Sequence, residues 1–180
     1  MSARHARWRL LRRFARSEDA ASTIEFVLWV PFMLLFLASL VESSAFMMRW
    51  MLLDRAVDIA VRDLRLSTYS PPTFDEFRQD ICDHAQLPDC LASLQVELVP
   101  VSSGQWTALS NDPTCIERET TIDPVSETTY TPGAANQIVA VRACMLMEPL
   151  FANIGIGALL PKDANGEIRV ISYSAYAQEP

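Results

Sequence analysis

The chain has 180 residues, half of them hydrophobic, and its 22 acidic residues against 15 basic ones give a formal net charge of -7. The charge is uneven: residues 1–20 hold six arginines against Glu18 and Asp19, a balance of +4, and the rest holds nine basic and twenty acidic residues, a balance of -11. An acidic body whose single lysine is Lys162 argues against nucleic acid as a partner, because phosphate binding needs a basic face.

A basic leader followed by an apolar helix is the first predicted element. The leader is residues 1–20, and its arginines are Arg4, Arg7, Arg9, Arg12, Arg13 and Arg16. Phe26 to Val41 is an uncharged run of sixteen residues, somewhat shorter than the roughly 20 that cross a bilayer core. The wider stretch Ile24 to Met48 has 25 residues and is long enough if Glu25 and Glu42 lie near opposite interfaces. We therefore predict one membrane-spanning helix over residues 21–48.

The charge asymmetry predicts the orientation of this span. Basic residues close to a membrane segment stay in the cytoplasm, so the leader is expected inside and the C-terminal part outside. An ordinary secretory signal cut after Ala45, in Ser43-Ser44-Ala45, is the alternative and would leave a soluble periplasmic protein. Glu25 and Pro31 within the apolar core speak against that alternative.

The helical pattern continues beyond the span. Apolar residues recur at three- and four-residue spacing at Trp50, Leu53, Val57, Ala60 and Leu64. We predict an amphipathic continuation of the helix over residues 49–69. Its other face is interpreted as solvent-exposed and carries Arg49, Asp54, Arg55, Asp58, Arg62 and Arg65. Ser70-Pro71-Pro72 ends the helix, since proline cannot continue the hydrogen-bond ladder.

Residues 73–180 are long enough for one modest extracytoplasmic domain. Thr73-x-x-Glu76 has the spacing of a capping box and starts a helix that Leu87-Pro88 ends. Alternating patterns then predict three strands, at 94–99, 138–144 and 168–176. The predicted fold class is α+β, in which the long N-terminal helix packs on a small antiparallel sheet.

Two connecting segments allow more than one interpretation. Residues 102–136 are rich in turn-forming residues and predict a long loop, with a short hairpin around Ile116 and Thr121. A loop of this length in a small domain is either a binding element or contains secondary structure that the pattern does not reveal. Leu150 to Leu160 is apolar and predicts a short buried helix, an apolar loop or a patch for a neighbouring subunit. Its Gly155-x-Gly157 lacks the third glycine and the basic residue of a phosphate loop, so packing explains it better. Asp163-Ala164-Asn165-Gly166 predicts a turn.

Four cysteines lie after the span: Cys82, Cys90, Cys115 and Cys144. An even number in an exported domain favours disulfides. The spacing makes Cys82 with Cys90 the cheapest local loop and leaves Cys115 with Cys144, while four separate buried thiols remain the alternative. The absence of a C-x-x-C motif argues against redox chemistry or a zinc knuckle.

The sequence gives little sign of catalysis. His84 is the only histidine outside the leader, and no serine lies in a nucleophile-elbow pattern. Cys82-Asp83-His84 would be the only conceivable thiol or zinc site, but alternate residues on a helix point in different directions. We expect no enzyme activity, no catalytic residue, no metal and no cofactor.

The N-terminal third of the chain resembles the TadE/TadF-like minor pilins of the tight-adherence (Flp) pilus system. The resemblance covers roughly residues 12–66, with a weaker similarity at 140–149. It rests on Ala20-Ala21-Ser22-Thr23-Ile24-Glu25-Phe26, then Pro31, Glu42 and Asp58-Ile59-Ala60-Val61-Arg62.

The resemblance implies a processing site. In that family a prepilin peptidase removes the basic leader at the cytoplasmic face, and the glutamate is the fifth residue of the mature chain. Counting back from Glu25 implies cleavage between Ala20 and Ala21, with the peptidase recognising the small residue, the acid and the apolar helix from Phe26 onward. The family usually has glycine where this chain has Ala20, so an uncleaved membrane anchor is the alternative.

Three residues of the span have predicted roles in assembly. A carboxylate within lipid needs a positive charge or donors nearby, and the amino terminus freed at Ala21 of a neighbouring subunit would supply one to Glu25. The alternative is that Glu25 extends to the headgroups. Pro31 should bend the helix. Glu42 is expected to reach the outer interface, or else to pair with a basic group of another subunit.

The resemblance implies a minor pilin or assembly component in the bacterial inner membrane, with its C-terminal domain in the periplasm. It also allows incorporation of the protein into an extracellular pilus. Its partners would be the major pilin, a sister minor pilin, the prepilin peptidase and the inner-membrane assembly platform. The alternative from another class is an uncleaved, membrane-anchored binding module with 102–136 as its recognition loop.

Overall fold

The computed structural model describes residues 18–66, 71–101, 115, 130–134 and 136–178. Helix α1 covers Glu18–Leu66, α2 covers Phe74–Ala85 and the short α3 covers Cys90–Ser93. The strands are β1 (Leu94–Val101), β2 (Ile138–Met147) and β3 (Ile168–Ala177), and a 3-10 helix covers Gly155–Ala158. One long helix with a small antiparallel sheet confirms the predicted α+β class.

Helix α1 is a single element through both the predicted span and its amphipathic continuation. Pro31 lies inside it, and the bend expected there stays a prediction. From Thr23 to Leu66 the helix is long and apolar enough to cross a membrane, judged by length and composition. The division of α1 at residue 48 into two parts also stays a prediction.

The sheet has the strand order β1-β2-β3, and both pairs are antiparallel. Leu94 lies opposite Met145 and Met147 lies opposite Ile168, so the central strand is paired along its whole length. One face of β2 carries Val139, Val141 and Met145, all almost fully buried in the core formed with α1 and α2. All three predicted strands are confirmed, because their period-two pattern places one apolar face toward the helices.

Helix α2 begins as predicted. The side chain of Thr73 accepts a hydrogen bond from the backbone N–H of Glu76, and the Glu76 carboxylate accepts one from the backbone N–H of Thr73 at 2.8 Å. The backbone N–H and the hydroxyl of Thr73 both donate to this carboxylate, and these bonds to its charged form lower the pKa of Glu76. The capping box is confirmed, and Phe77 and Ile81 bury the apolar side of the helix in the core.

Tyr130 corrects part of the predicted loop 102–136. It forms a parallel bridge with Leu98, packs edge-on to Phe74 at 5.7 Å between ring centroids, and donates its hydroxyl to the carbonyl of Pro72 at 2.9 Å. Burial raises the pKa of its phenol. This end of the segment is therefore part of the core. The hairpin predicted near Ile116 and Thr121 lies outside the described residues.

The charged side of α1 is also not simply solvated. Asp54 accepts a hydrogen bond from the hydroxyl of Ser172 at 2.7 Å, and Asp58 accepts one from Ser174 at 3.2 Å. Arg49 donates to the carbonyl of Glu148 at 2.8 Å. The solvent interpretation is wrong for Asp54 and Arg49, which are partly buried against the domain, whereas Asp58 is exposed as predicted and also accepts a hydrogen bond from β3.

The turn predicted at 163–166 is confirmed. The carboxylate of Asp163 accepts hydrogen bonds from the backbone N–H groups of Asn165 at 3.0 Å and Glu167 at 2.7 Å. Gly166 has a φ of +83°, a conformation that glycine adopts without steric cost. This turn leads directly into β3.

Candidate functional site

Glu25 lies on the exposed surface of α1, two residues after Thr23. Phe26 beside it is 69% exposed. Within the part of the chain that the structure describes, no donor is bonded to the Glu25 carboxylate. An acid on an apolar helix with no partner in its own described chain fits a contact made with another molecule.

The other predicted residues near this end of α1 are placed as follows. Ala20 and Ala21 fall in the first turns of the helix, and the surroundings of their side chains lie outside the described residues. Pro31 is exposed six residues beyond Glu25. Cleavage between Ala20 and Ala21 stays a prediction.

Glu42 lies in very different surroundings from those expected. Its side chain is 2% exposed, and its carboxylate accepts hydrogen bonds from the backbone N–H groups of Leu150 at 3.1 Å and Phe151 at 2.7 Å. The position of Glu42 at the outer interface stays a prediction, and the structure adds that a distant part of the chain encloses its carboxylate. Two successive amide donors compensate for the cost of burying the carboxylate, because hydrogen bonds to a charged group are stronger than those between neutral groups.

Residues 149–161, which we call the apolar loop, make this enclosure. The loop contains no Asp, Glu, Lys or Arg. The backbone N–H of Ile156 donates to the hydroxyl of Ser39 at 3.3 Å, and the 3-10 helix lies against the same stretch of α1. The side-chain amine of Lys162 donates to the carbonyl of Ala152 and closes the loop at its other end.

The two glycines of the apolar loop allow its close approach to α1. A Cβ atom at Gly155, where φ is +60°, would collide with the hydroxyl of Ser39. A Cβ atom at Gly157 would collide with the carbonyl oxygen of Phe151 and contact Glu42. The packing explanation for Gly155-x-Gly157 is confirmed, since a Cβ atom at either position would force a neighbouring group to shift.

The segment is not a buried helix: it has one 3-10 turn at Gly155–Ala158, and several of its hydrophobic side chains are exposed although its backbone is bonded to α1. The interpretation as a patch for a neighbouring subunit stays a prediction. Leu159 is 84% exposed, Leu150 52% and Ile154 47%. Exposed apolar patches of this kind mark contact surfaces.

The structure joins Cys82 to Cys90 and Cys115 to Cys144, with Cα atoms 5.6 Å and 5.5 Å apart. The first bridge ties α2 to α3. The second ties residue 115 to the face of β2 opposite the helices, where Arg142 is 2% exposed and forms an ion pair with Glu97. Whether the cysteines are oxidised in the cell stays a prediction.

His84 lies in the last turn of α2, and its Nδ1 is 2.9 Å from the carbonyl oxygen of Asp80 in the preceding turn. Cys82 is occupied by its disulfide. Among the residues that the structure describes, no group of three or more His, Cys, Asp or Glu is placed to hold a metal ion.

Sequence reasoning missed Ser39 and the amides of Leu150 and Phe151 as partners of this site. Glu42 lies 108 residues before Leu150, so no local pattern links them. The sequence alone offered no signal for this pairing, because uncharged segments also surround Gly104 and Gly133.

These features define a class of protein: a chain whose apolar N-terminal helix is long enough to cross a membrane and continues into a small α+β domain. A family model described as TadE-like protein matches residues 20–62. The match covers 43 of the 180 residues and includes Ala20, Glu25, Pro31 and Glu42, so this stretch of the chain is similar to TadE-like proteins.

The matched stretch ends within α1, before α2 and the sheet. Comparisons with curated proteins and with solved structures gave no significant match.

Proposed function

We propose that this chain is a minor pilin-like structural or assembly component of the tight-adherence pilus, without enzyme activity of its own. The observation that carries the proposal is the TadE-like match over residues 20–62, in which α1 exposes an acid beside an apolar surface. In the proposed arrangement, the partners are the major pilin, a sister minor pilin and the inner-membrane assembly platform.

The charges of the chain support an orientation. Six arginines in residues 1–20 would hold the leader in the cytoplasm, because basic flanks resist translocation. The acidic C-terminal domain would then lie in the periplasm. That compartment is oxidising and suits the pairs Cys82–Cys90 and Cys115–Cys144.

Processing follows from the same proposal. A prepilin peptidase would cut between Ala20 and Ala21 and free an amino group at Ala21. That group lies about 6 Å along the helix axis from Glu25. A neighbouring subunit shifted by about one helical turn would bring its amino terminus to the Glu25 carboxylate, and this charge pair would set the register of the two helices.

The direct test combines N-terminal sequencing with one substitution. Protein recovered from membranes should begin at Ala21; a start at Met1 would refute processing, and a start at Phe46 would indicate a secretory signal. Glu25→Gln should leave membrane insertion unchanged and reduce incorporation into sheared pili, because a neutral amide cannot form the charge pair. Equal incorporation of the variant and the parent chain would contradict the pairing.

Glu18→Gln is the matched control. It makes the same chemical change seven residues earlier, and cleavage after Ala20 removes it from the mature chain. Incorporation should therefore match that of the parent. If neither variant changes incorporation and the protein does not co-purify with pilus components, the alternative of a membrane-anchored binding module using residues 102–136 is favoured.

A further inference from the structure

We propose that the apolar loop is a second membrane contact, which inserts its exposed side chains into the lipid around the domain-proximal end of the span. It would hold the domain against the bilayer surface. This inference requires α1 to cross a membrane, but it does not require a role in a pilus.

The position of the loop along α1 is the first argument. Counted from Ile24, Ser39 lies about 22 Å and Glu42 about 27 Å along the helix axis, and the hydrocarbon core is about 30 Å thick. Ser39 and Glu42 are the residues to which the loop is bonded. If α1 spans the bilayer, the loop is therefore held at the edge of the hydrocarbon.

The second argument is the continuity of the apolar surface. On α1 at this height, Leu37 is 52% exposed, Leu40 47% and Val41 50%. Leu150 and Leu159 add exposed apolar surface beside it, because the loop that carries them is bonded to Ser39 and Glu42 of the same stretch of α1. Lipid that covers α1 at this depth would also cover the loop, and this continuity favours lipid over a protein partner.

The backbone of the loop is suited to an interface. An irregular segment near lipid needs internal partners for its N–H groups, because few water molecules are available there. The N–H groups of Leu159 and Leu160 donate to the carbonyl of Ile156 at 2.9 Å and 3.2 Å. Those of Leu150 and Phe151 donate to Glu42. The loop thus satisfies much of its own backbone while it encloses an acid that lipid would disfavour.

The test uses the full chain in liposomes of phosphatidylethanolamine and phosphatidylglycerol. A nitroxide attached after Leu159→Cys should collide more with oxygen, which concentrates in lipid, than with a water-soluble nickel complex. The matched control is Leu66→Cys, because Leu66 is a leucine of similar exposure, 67%, at the far end of α1. Leu66 lies about 36 Å beyond Glu42, so a nitroxide there should collide more often with the nickel complex than with oxygen. The ratio of the oxygen to the nickel collision rate should therefore be several-fold higher at position 159 than at position 66.

Two outcomes would overturn the proposal. Equal collision ratios at the two positions would show that the loop lies in water. Protection of position 159 from both reagents, with spin-spin broadening that disappears on dilution with unlabelled chain, would show that a second copy covers it instead.

A second measurement needs no substitution. Phosphatidylcholine carrying a photoactivatable acyl chain should form adducts on the tryptic peptide 143–162 of the unmodified protein, which contains the loop. The tryptic peptide 66–78 is the internal control and should remain unlabelled. Labelling of neither peptide, while peptides from the span are labelled, would refute lipid contact by the loop.

Discussion

The two halves of α1 place similar side chains in opposite surroundings. In the first half, Phe26, Leu34 and Phe36 are each about 60–70% exposed, and in the second half Leu53 and Val57 are fully buried against the domain. The difference shows that one helix has two kinds of partner. The second half finds its partner within the chain, and the first half needs one from outside, for which lipid or another helix is suitable.

The two glutamates that flank the apolar run of the helix, Glu25 and Glu42, repeat this contrast. Glu42 is buried and accepts two backbone hydrogen bonds, whereas Glu25 is exposed and has no donor among the described residues. Glu42 therefore has a role within the chain, and Glu25 is the acid available to other chains. Three predictions test the contrast.

The largest expected effect comes from truncating a leucine in each half. Leu53→Ala should lower the free energy of unfolding of the domain by about 2–5 kcal/mol, because it leaves a cavity in the core. Leu34→Ala, the same change at a 60% exposed position, should change it by less than about 0.5 kcal/mol. Urea unfolding in a mild detergent measures both, and equal effects would contradict the division of α1.

The acids give the next comparison. Glu42→Ala should cost about 2–4 kcal/mol, because it leaves the part-buried amides of Leu150 and Phe151 without their charged acceptor. Amide hydrogen exchange at these two residues should become faster, and Glu25→Ala should leave it unchanged. Unaltered exchange in the Glu42 variant would mean that the apolar loop is held by other contacts.

The smallest effect is expected at the glycine that lies over Glu42. Gly157→Ala should cost about 1–3 kcal/mol, since the new methyl group must displace the carbonyl of Phe151. Ala158→Ser, at the exposed neighbouring position, should change stability by less than about 0.5 kcal/mol. Thermal unfolding followed by near-ultraviolet circular dichroism compares the two, and a result in which Ala158→Ser is the worse variant would refute the close approach.

Local patterns allowed much of this fold to be predicted. The capping box of Thr73 and Glu76, the turn after Asp163 and the three alternating strands each depend on residues close in sequence. Contacts between distant segments were not predictable in this way. The sequence contains no sign that Glu42 would meet Leu150 or that Tyr130 would reach Leu98, because these pairs are brought together only by the packing of the whole domain.

The residues of the candidate site also differ in how far the sequence could predict their surroundings. Glu25 was recognisable because an acid in an apolar run is unusual wherever the chain folds. The surroundings of Glu42 depended on a segment whose apolar character alone could not distinguish a core helix from an exposed loop.

The continuity of α1 has a mechanical consequence. Its 49 residues give a rod of about 74 Å, which enters the domain with no flexible linker. If α1 spans the bilayer, tilting or pulling its N-terminal part therefore turns or lifts the domain as one body, and the hydrogen bonds at Glu42 oppose rotation about the point where the helix would leave the bilayer. A partner that moves the N-terminal part of α1 would therefore move the domain by the same displacement.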